Sequence, residues 1–170
     1  MSASNLDLRT RDKIFTHTRL ALMEFSANNY IVPDVFFLLC YLRFANPDLY
    51  HNIVVEKYTA QQLLDEIEEF IPLELLVMNE NDYSWRQMTY TIASFTLMYT
   101  LNDNGIERTT IINRDDKTTT LKTKHMDEKT FSEALLWYHG KIHRGEIPLR
   151  LLTKKIELEQ AIILSADSDN

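Results

Sequence analysis

Apolar side chains recur at helical spacing along the first part of the chain, switch to alternation near residue 88, and later return to helical spacing. Ile14, Leu20, Leu22, Met23 and Phe25 form a loose stripe that predicts a helix over about 8–27, with Arg11, Lys13 and Arg19 outside it. Asn28 and Asn29 form a stop, since asparagine tolerates the left-handed conformation. Pro33 suits the first turn of a second helix. That helix runs through Phe36, Phe37, Leu39, Cys40 and Leu42 to about residue 44. It is apolar nearly all round, so it is expected to be the central, most buried helix. Asn46 and Pro47 end it. Thr59 and Gln62 have the spacing of a capping box, and the helix that follows reaches Phe70. Its pattern puts Leu63, Leu64, Ile67 and Phe70 inward and Asp65, Glu66, Glu68 and Glu69 toward water. Pro72 limits it, and the apolar stretch 73–78 fits helix or strand.

From Met88 to Leu101 threonines and aromatics alternate with period two, which reads as a long strand. Asn102, Asp103, Asn104 and Gly105 form a hairpin turn, with Gly105 supplying positive φ. Residues 106–113 read as a second strand, 114–117 as a second turn and 118–125 as a third strand. Thr130 and Glu133 give another capping box, followed by a helix to about 142 or 143. Gly140 or Gly145 ends it. Pro148 resets the chain, and a last helix covers about 149–164, where the alternation of residues 155–159 would equally suit a strand. The expected fold is α+β: N-terminal helices, a three-stranded antiparallel meander over about 88–125, and two C-terminal helices.

Composition narrows this picture by exclusion. A length of 170 residues with 45% apolar and 25% charged side chains suits one globular domain over 1–170, with a frayed acidic tail at 165–170. Three glycines leave little for a phosphate-cradling loop, and neither nucleotide-binding glycine motif is present. One cysteine excludes an internal disulfide and a four-cysteine zinc site. The polar start of the chain, and an apolar run too short to span a bilayer, predict a cytoplasmic protein with no membrane partner. A viral product made in a host cytoplasm would carry the same signals.

The net charge of −7 is unevenly spread. Residues 1–85 hold 6 Lys and Arg against 13 Asp and Glu, whereas 104–155 hold 11 against 7. Such asymmetry can orient a partner or a head-to-tail pairing of copies. The acidic total disfavours nucleic acid, because each phosphate contact needs a cation.

Four groups of residues carry candidate chemistry. His139 and His143 are four apart, the spacing that puts two imidazoles on one helix face for a metal, with Asp115 and Asp116 as further ligands. Against this, histidines near a helix C-terminus are favoured by the dipole alone, and aspartates favour turns. Lys122 and Lys124 on the third strand, with Arg108 and Arg114 nearby and Tyr90 and Tyr99 on the first, are the residue types that hold single-stranded nucleic acid on a sheet. The acidic run including Glu66 and Glu69 could dock a basic partner. Trp85, flanked by Ser84 and Arg86, is a candidate interface anchor. No catalytic constellation is complete and no cofactor is implied. The leading expectation is a non-catalytic interaction protein: an adaptor, assembly chaperone or inhibitor. A metal-dependent hydrolase or nuclease and a nucleic-acid-binding module are the alternatives.

Overall fold

The computed structural model describes residues 7–23, 25, 31–102, 104–113, 115–116, 118–141, 149–150 and 152–157. It is mostly helical, with a small two-stranded antiparallel sheet. The elements in chain order are α1 (Leu8–Met23), α2 (Pro33–Ala45), α3 (Pro47–Val54), α4 (Ala60–Phe70), a 3₁₀ turn (Leu73–Leu75), α5 (Ser84–Thr100), β1 (Ile112–Asn113), β2 (Thr118–Thr119) and α6 (Glu128–His139). Residues 149–150 and 152–157 are also helical. The expected helix end beyond 157, the acidic tail and the stop at Asn28–Asn29 lie outside the described residues.

The start and stop chemistry works as the sequence implies for the early helices. Pro33 opens α2 and Pro47 opens α3, each in the first turn where its missing N–H costs nothing. Asn46 ends α2 and at once caps α3, its side chain accepting from Leu49 N at 3.1 Å. So the Asn46–Pro47 stop begins a helix that periodicity did not single out. Thr59 and Gln62 form both bonds of a capping box on α4. At α3's C-terminus Glu56 N donates to Ile53 O and Lys57 N to Asn52 O, a Schellman closure. Glu56 holds the left-handed position, φ +53°, that glycine usually fills. Its carboxylate is fixed there by Arg108 at 2.6 Å.

Three expectations are corrected. The first is the long strand over 88–101, which is helix α5. Every residue from Thr91 to Thr100 is buried, so over these ten residues the helix has no wet face and therefore no helical polarity pattern to read. Four of its hydroxyls are satisfied inside the helix, while the buried Thr96 hydroxyl has no partner among the described residues. Thr89 donates to Trp85 O at 2.9 Å, Thr91 to Gln87 O at 3.0 Å, Ser94 to Thr91 O at 2.8 Å and Thr100 to Leu97 O at 2.6 Å. α5 packs against α6, α4 and α2. It takes the central place expected of α2, which leaves Pro33, Asp34 and Phe37 exposed.

The second is the meander, which reduces to β1 and β2, with Ile112 opposite Thr119 and Asn113 opposite Thr118. The turn at 102–105 does form, with Gly105 at φ +72° and Leu101 bridged to Glu107. Beyond Thr119 the third strand does not continue, because α4 takes its backbone groups. Gln61 accepts from Lys122 N at 2.9 Å and donates to Lys122 O at 2.8 Å, so a side-chain amide copies a ladder step. Two turns further along, the Glu68 carboxylate accepts from Lys124 N, His125 N and Met126 N at 2.8, 2.9 and 3.1 Å. Glu68, expected to face water, is only 2% exposed. Residues 121–126 are thus a strap laced to α4.

The third is the cap of α6. Asp127, not Thr130, is the N-cap: its carboxylate accepts from Thr130 N at 2.8 Å and Thr130 Oγ1 at 2.6 Å. Helix α6 ends at His139 with Gly140 as its C-cap, the earlier of the two stops.

Two stability outcomes follow. Glu68→Ala leaves three strap N–H groups without an acceptor and should cost about 3 kcal/mol in chemical denaturation, with Glu68→Gln losing less. Tyr50 is buried, and its hydroxyl has no hydrogen-bond partner among the described residues. Burial pushes that hydroxyl's pKa well above the ordinary tyrosine value. Tyr50→Phe should therefore leave stability unchanged or raise it by about 1 kcal/mol, read from the same denaturation curves.

Candidate functional site

Two concave surfaces stand out, one polar and one apolar. The polar one is a cleft of about 750 Å³ beneath the turn at 102–105. Asn102 builds that turn by accepting from Asn104 N and Ile106 N at 2.9 Å each. Glu107 then accepts from Ile111 N through Oε1 at 2.6 Å. This aims Oε2 at His139 Nε2, 3.4 Å away. His139 is the last residue of α6, where the helix dipole favours a cation. A carboxylate-oriented imidazole is one part of an acid–base site. Thr110, Asn113, Asp115 and Thr120 complete the wall.

The cleft gathers two of the four residues singled out as metal ligands, His139 and Asp115, and adds Glu107. Asp116 is turned away: its carboxylate accepts from Thr118 N and Thr118 Oγ1 and from Asn113 Nδ2. That is the aspartate turn chemistry the sequence also allowed. His143 lies outside the described residues. Among the described residues no three His, Cys, Asp or Glu side chains stand close enough to hold a metal ion.

The candidate nucleic-acid face does not assemble as a sheet surface. Tyr90 and Tyr99 are on α5, and the lysines are on the strap. Lys122 pairs with Glu128 at 2.6 Å and Lys124 with Glu69 at 2.6 Å. Arg108 closes the C-terminus of α5, donating to Tyr99 O at 2.6 Å while pairing with Glu56. Tyr99 in turn uses its hydroxyl to bond both Tyr58 N and Tyr58 O, tying α5 to the entry of α4. The acidic run and the basic stretch, read from sequence as surfaces for two different partners, meet each other at Glu69 and Lys124. Glu66 remains exposed. Trp85 is 7% exposed and its indole donates to Asn79 O at 3.0 Å. It forms part of a depression shared with Met78 and Tyr83 rather than projecting as an anchor.

The apolar surface is a groove of about 520 Å³. Its walls are Phe37, Leu38 and Tyr41 of α2, Ile71, Pro72 and Leu75 around the 3₁₀ turn, and Gln87, Met88 and Thr91 of α5. Asp34 sits at one end. Phe37, Leu73, Val77, Met78 and Tyr83 are exposed in or near these elements. Sequence reading missed this groove because α2 looked wholly internal and 88–101 looked like sheet. The available signal was Asp34, Phe37, Leu38 and Tyr41 at helical spacing, one acid and three large apolar side chains on one face.

The chain matches no protein-family model, no curated protein and no solved structure. Among the described residues no helix is long and apolar enough to cross a membrane.

Lys124, through its hydrogen bond first and its charge second, holds the Glu69 carboxyl below the ordinary glutamate value. The bridge is therefore complete above the ordinary carboxylate range and is lost as the pH falls through the lowered folded value. Lys124→Gln should move the Glu69 titration, followed by carbon-13 NMR of the carboxyl, upward toward the ordinary value.

Proposed function

We propose that this chain is a non-catalytic interaction protein, of the adaptor, assembly-chaperone or inhibitor class, whose apolar groove receives an apolar protein segment. The observation that supports this reading is the groove itself. It is open, walled mostly by aliphatic and aromatic side chains, and bordered by further exposed apolar residues. Contiguous exposed apolar surface of this kind marks interaction sites on globular proteins. A groove between helices suits the mode in which a partner lays an amphipathic segment into it, with alternate side chains as anchors. The two alternatives draw less from the structure. The lysines of the nucleic-acid reading are engaged with Glu128 and Glu69, and the metal reading has no three-residue ligand set among the described residues.

The test is capture of a stoichiometric protein partner that survives nuclease treatment, compared across variants. Phe37→Glu changes an exposed groove position and Leu73→Glu an exposed position beside it, and each should weaken capture at least tenfold, about 1.4 kcal/mol, with unchanged thermal melting. His139→Ala and Lys122→Ala should leave capture intact. Capture insensitive to both groove variants, or recovery of nucleic acid alone, overturns the reading.

A further inference from the structure

Helix α1 contributes little to its own core. Of its 16 residues, Ile14 and Ala21 are the buried ones. Leu8, Phe15 and Leu22, spaced seven apart and therefore on one face, are 78%, 62% and 44% exposed. Arg11 and Arg19 stand four residues before and after Phe15, which puts them on either flank of this stripe. Over residues 8–23 the helix carries four cations and one anion, on a chain whose net charge is −7. An isolated helix of this length is marginal in water without a packed face.

The groove offers the complementary surface. Residues 58–85, which supply Ile71, Pro72, Leu75 and Ser84 to its walls, hold no Lys or Arg; of their seven Asp and Glu, Glu68 and Glu69 are engaged by the strap. Asp34 at the end of the groove and the exposed Glu74 beside it are both acidic. Helix stripe and groove also adjoin on one side of the molecule. Phe15 of the stripe and Phe37 of the groove wall are in contact, their rings tilted by 39° with centroids 5.8 Å apart.

We infer that the groove's occupant is α1 of a second copy of this chain, in a two-fold dimer where each copy lays its Leu8–Phe15–Leu22 face into the other's groove. This rests on the groove being a binding surface, as proposed above, and names its partner. An apolar helix face beside an apolar groove is self-complementary under a two-fold axis between them, so the contact forms twice and closes. Arg11 and Arg19 of α1 then lie toward Asp34 and Glu74 of the other copy in both halves, which fixes orientation and disfavours other registers. A second, basic-lined occupant from an unrelated protein would meet the same chemistry. The copy already carries it at the right spacing.

The test uses the full chain in analytical ultracentrifugation. Wild type should sediment as a dimer at micromolar concentrations. Phe15→Glu should give a monomer with unchanged circular dichroism, since Phe15 is exposed. An acidic-helix variant (Arg11→Glu with Arg19→Glu) and a basic-groove variant (Asp34→Lys with Glu74→Lys) should each be monomeric alone. Mixed together they should form a heterodimer, because one contact is reversed in both charges and the other is native. A monomeric wild type, a dimer indifferent to Phe15→Glu, or no heterodimer from the mixture overturns the inference. If wild type is monomeric and instead binds vesicles containing anionic lipid through α1, the helix is a membrane-surface element and the inference also falls. Each of these results leaves the groove reading to stand or fall on the capture assay with Phe37→Glu and Leu73→Glu.

Discussion

One buried carboxylate organises the second half of the molecule. Glu68 places two oxygens against three consecutive backbone amides of the strap, and Gln61, two turns earlier on α4, pairs with both polar groups of Lys122. A helix normally meets an irregular segment through apolar packing, which sets distance but not register. Here hydrogen bonds between side chain and main chain set the register residue by residue. They fix where the strap ends, and so where Asp127 can begin α6. Since α6 packs on α5, the position of the central helix is linked to those bonds. A charge buried this deeply is tolerated because each oxygen is bonded, the condition under which burial of an ion is not prohibitive.

Where local chemistry alone decides the structure, the sequence reads directly. The prolines opening α2 and α3, the Thr59–Gln62 box and the positive φ of Gly105 all depend on residues within four positions of each other. What could not be read depends on partners 56 to 61 positions away in the chain. Gln61 and Glu68 look like the wet face of an amphipathic helix, and nothing nearby says that the strap will lie across them. The same holds for α5. Thr, Tyr, Phe and Ile favour strands at a half-buried surface. Once a helix segment is enclosed on all sides and four of its Ser and Thr hydroxyls bond their own preceding turn, that preference no longer decides the outcome.

The candidate sites follow the same division. Lysines and acids appear along the sequence as separate patches, each available to something external. Folding brings Lys124 to Glu69, Lys122 to Glu128 and Arg108 to Glu56, so much of that charge is spent on internal orientation. Exposed pairs of this kind contribute little stability one by one. Their effect is to remove the patches from the inventory of docking surfaces, which shifts weight to the apolar groove and the neighbouring face of α1. The cleft brings His139 beside Glu107 and Asp115, while Asp116 turns to Thr118 and no three-residue ligand set forms among the described residues.

The burial of α5 also bears on how this protein fails. From Met88 to Leu101 the chain carries no charge, no proline and no glycine. Its alternating threonines and aromatics are the composition of a segment that self-associates as stacked strands once it is released. Within the native structure that conformation is foreclosed, because every backbone amide in the segment is committed to the helix. Unfolding therefore exposes a stretch with a second, intermolecular way to satisfy itself, and heating should end in aggregate rather than in a reversible transition. The lifetime of the folded protein is then set by the rate at which α5 is uncovered, more than by the equilibrium between folded and unfolded chains.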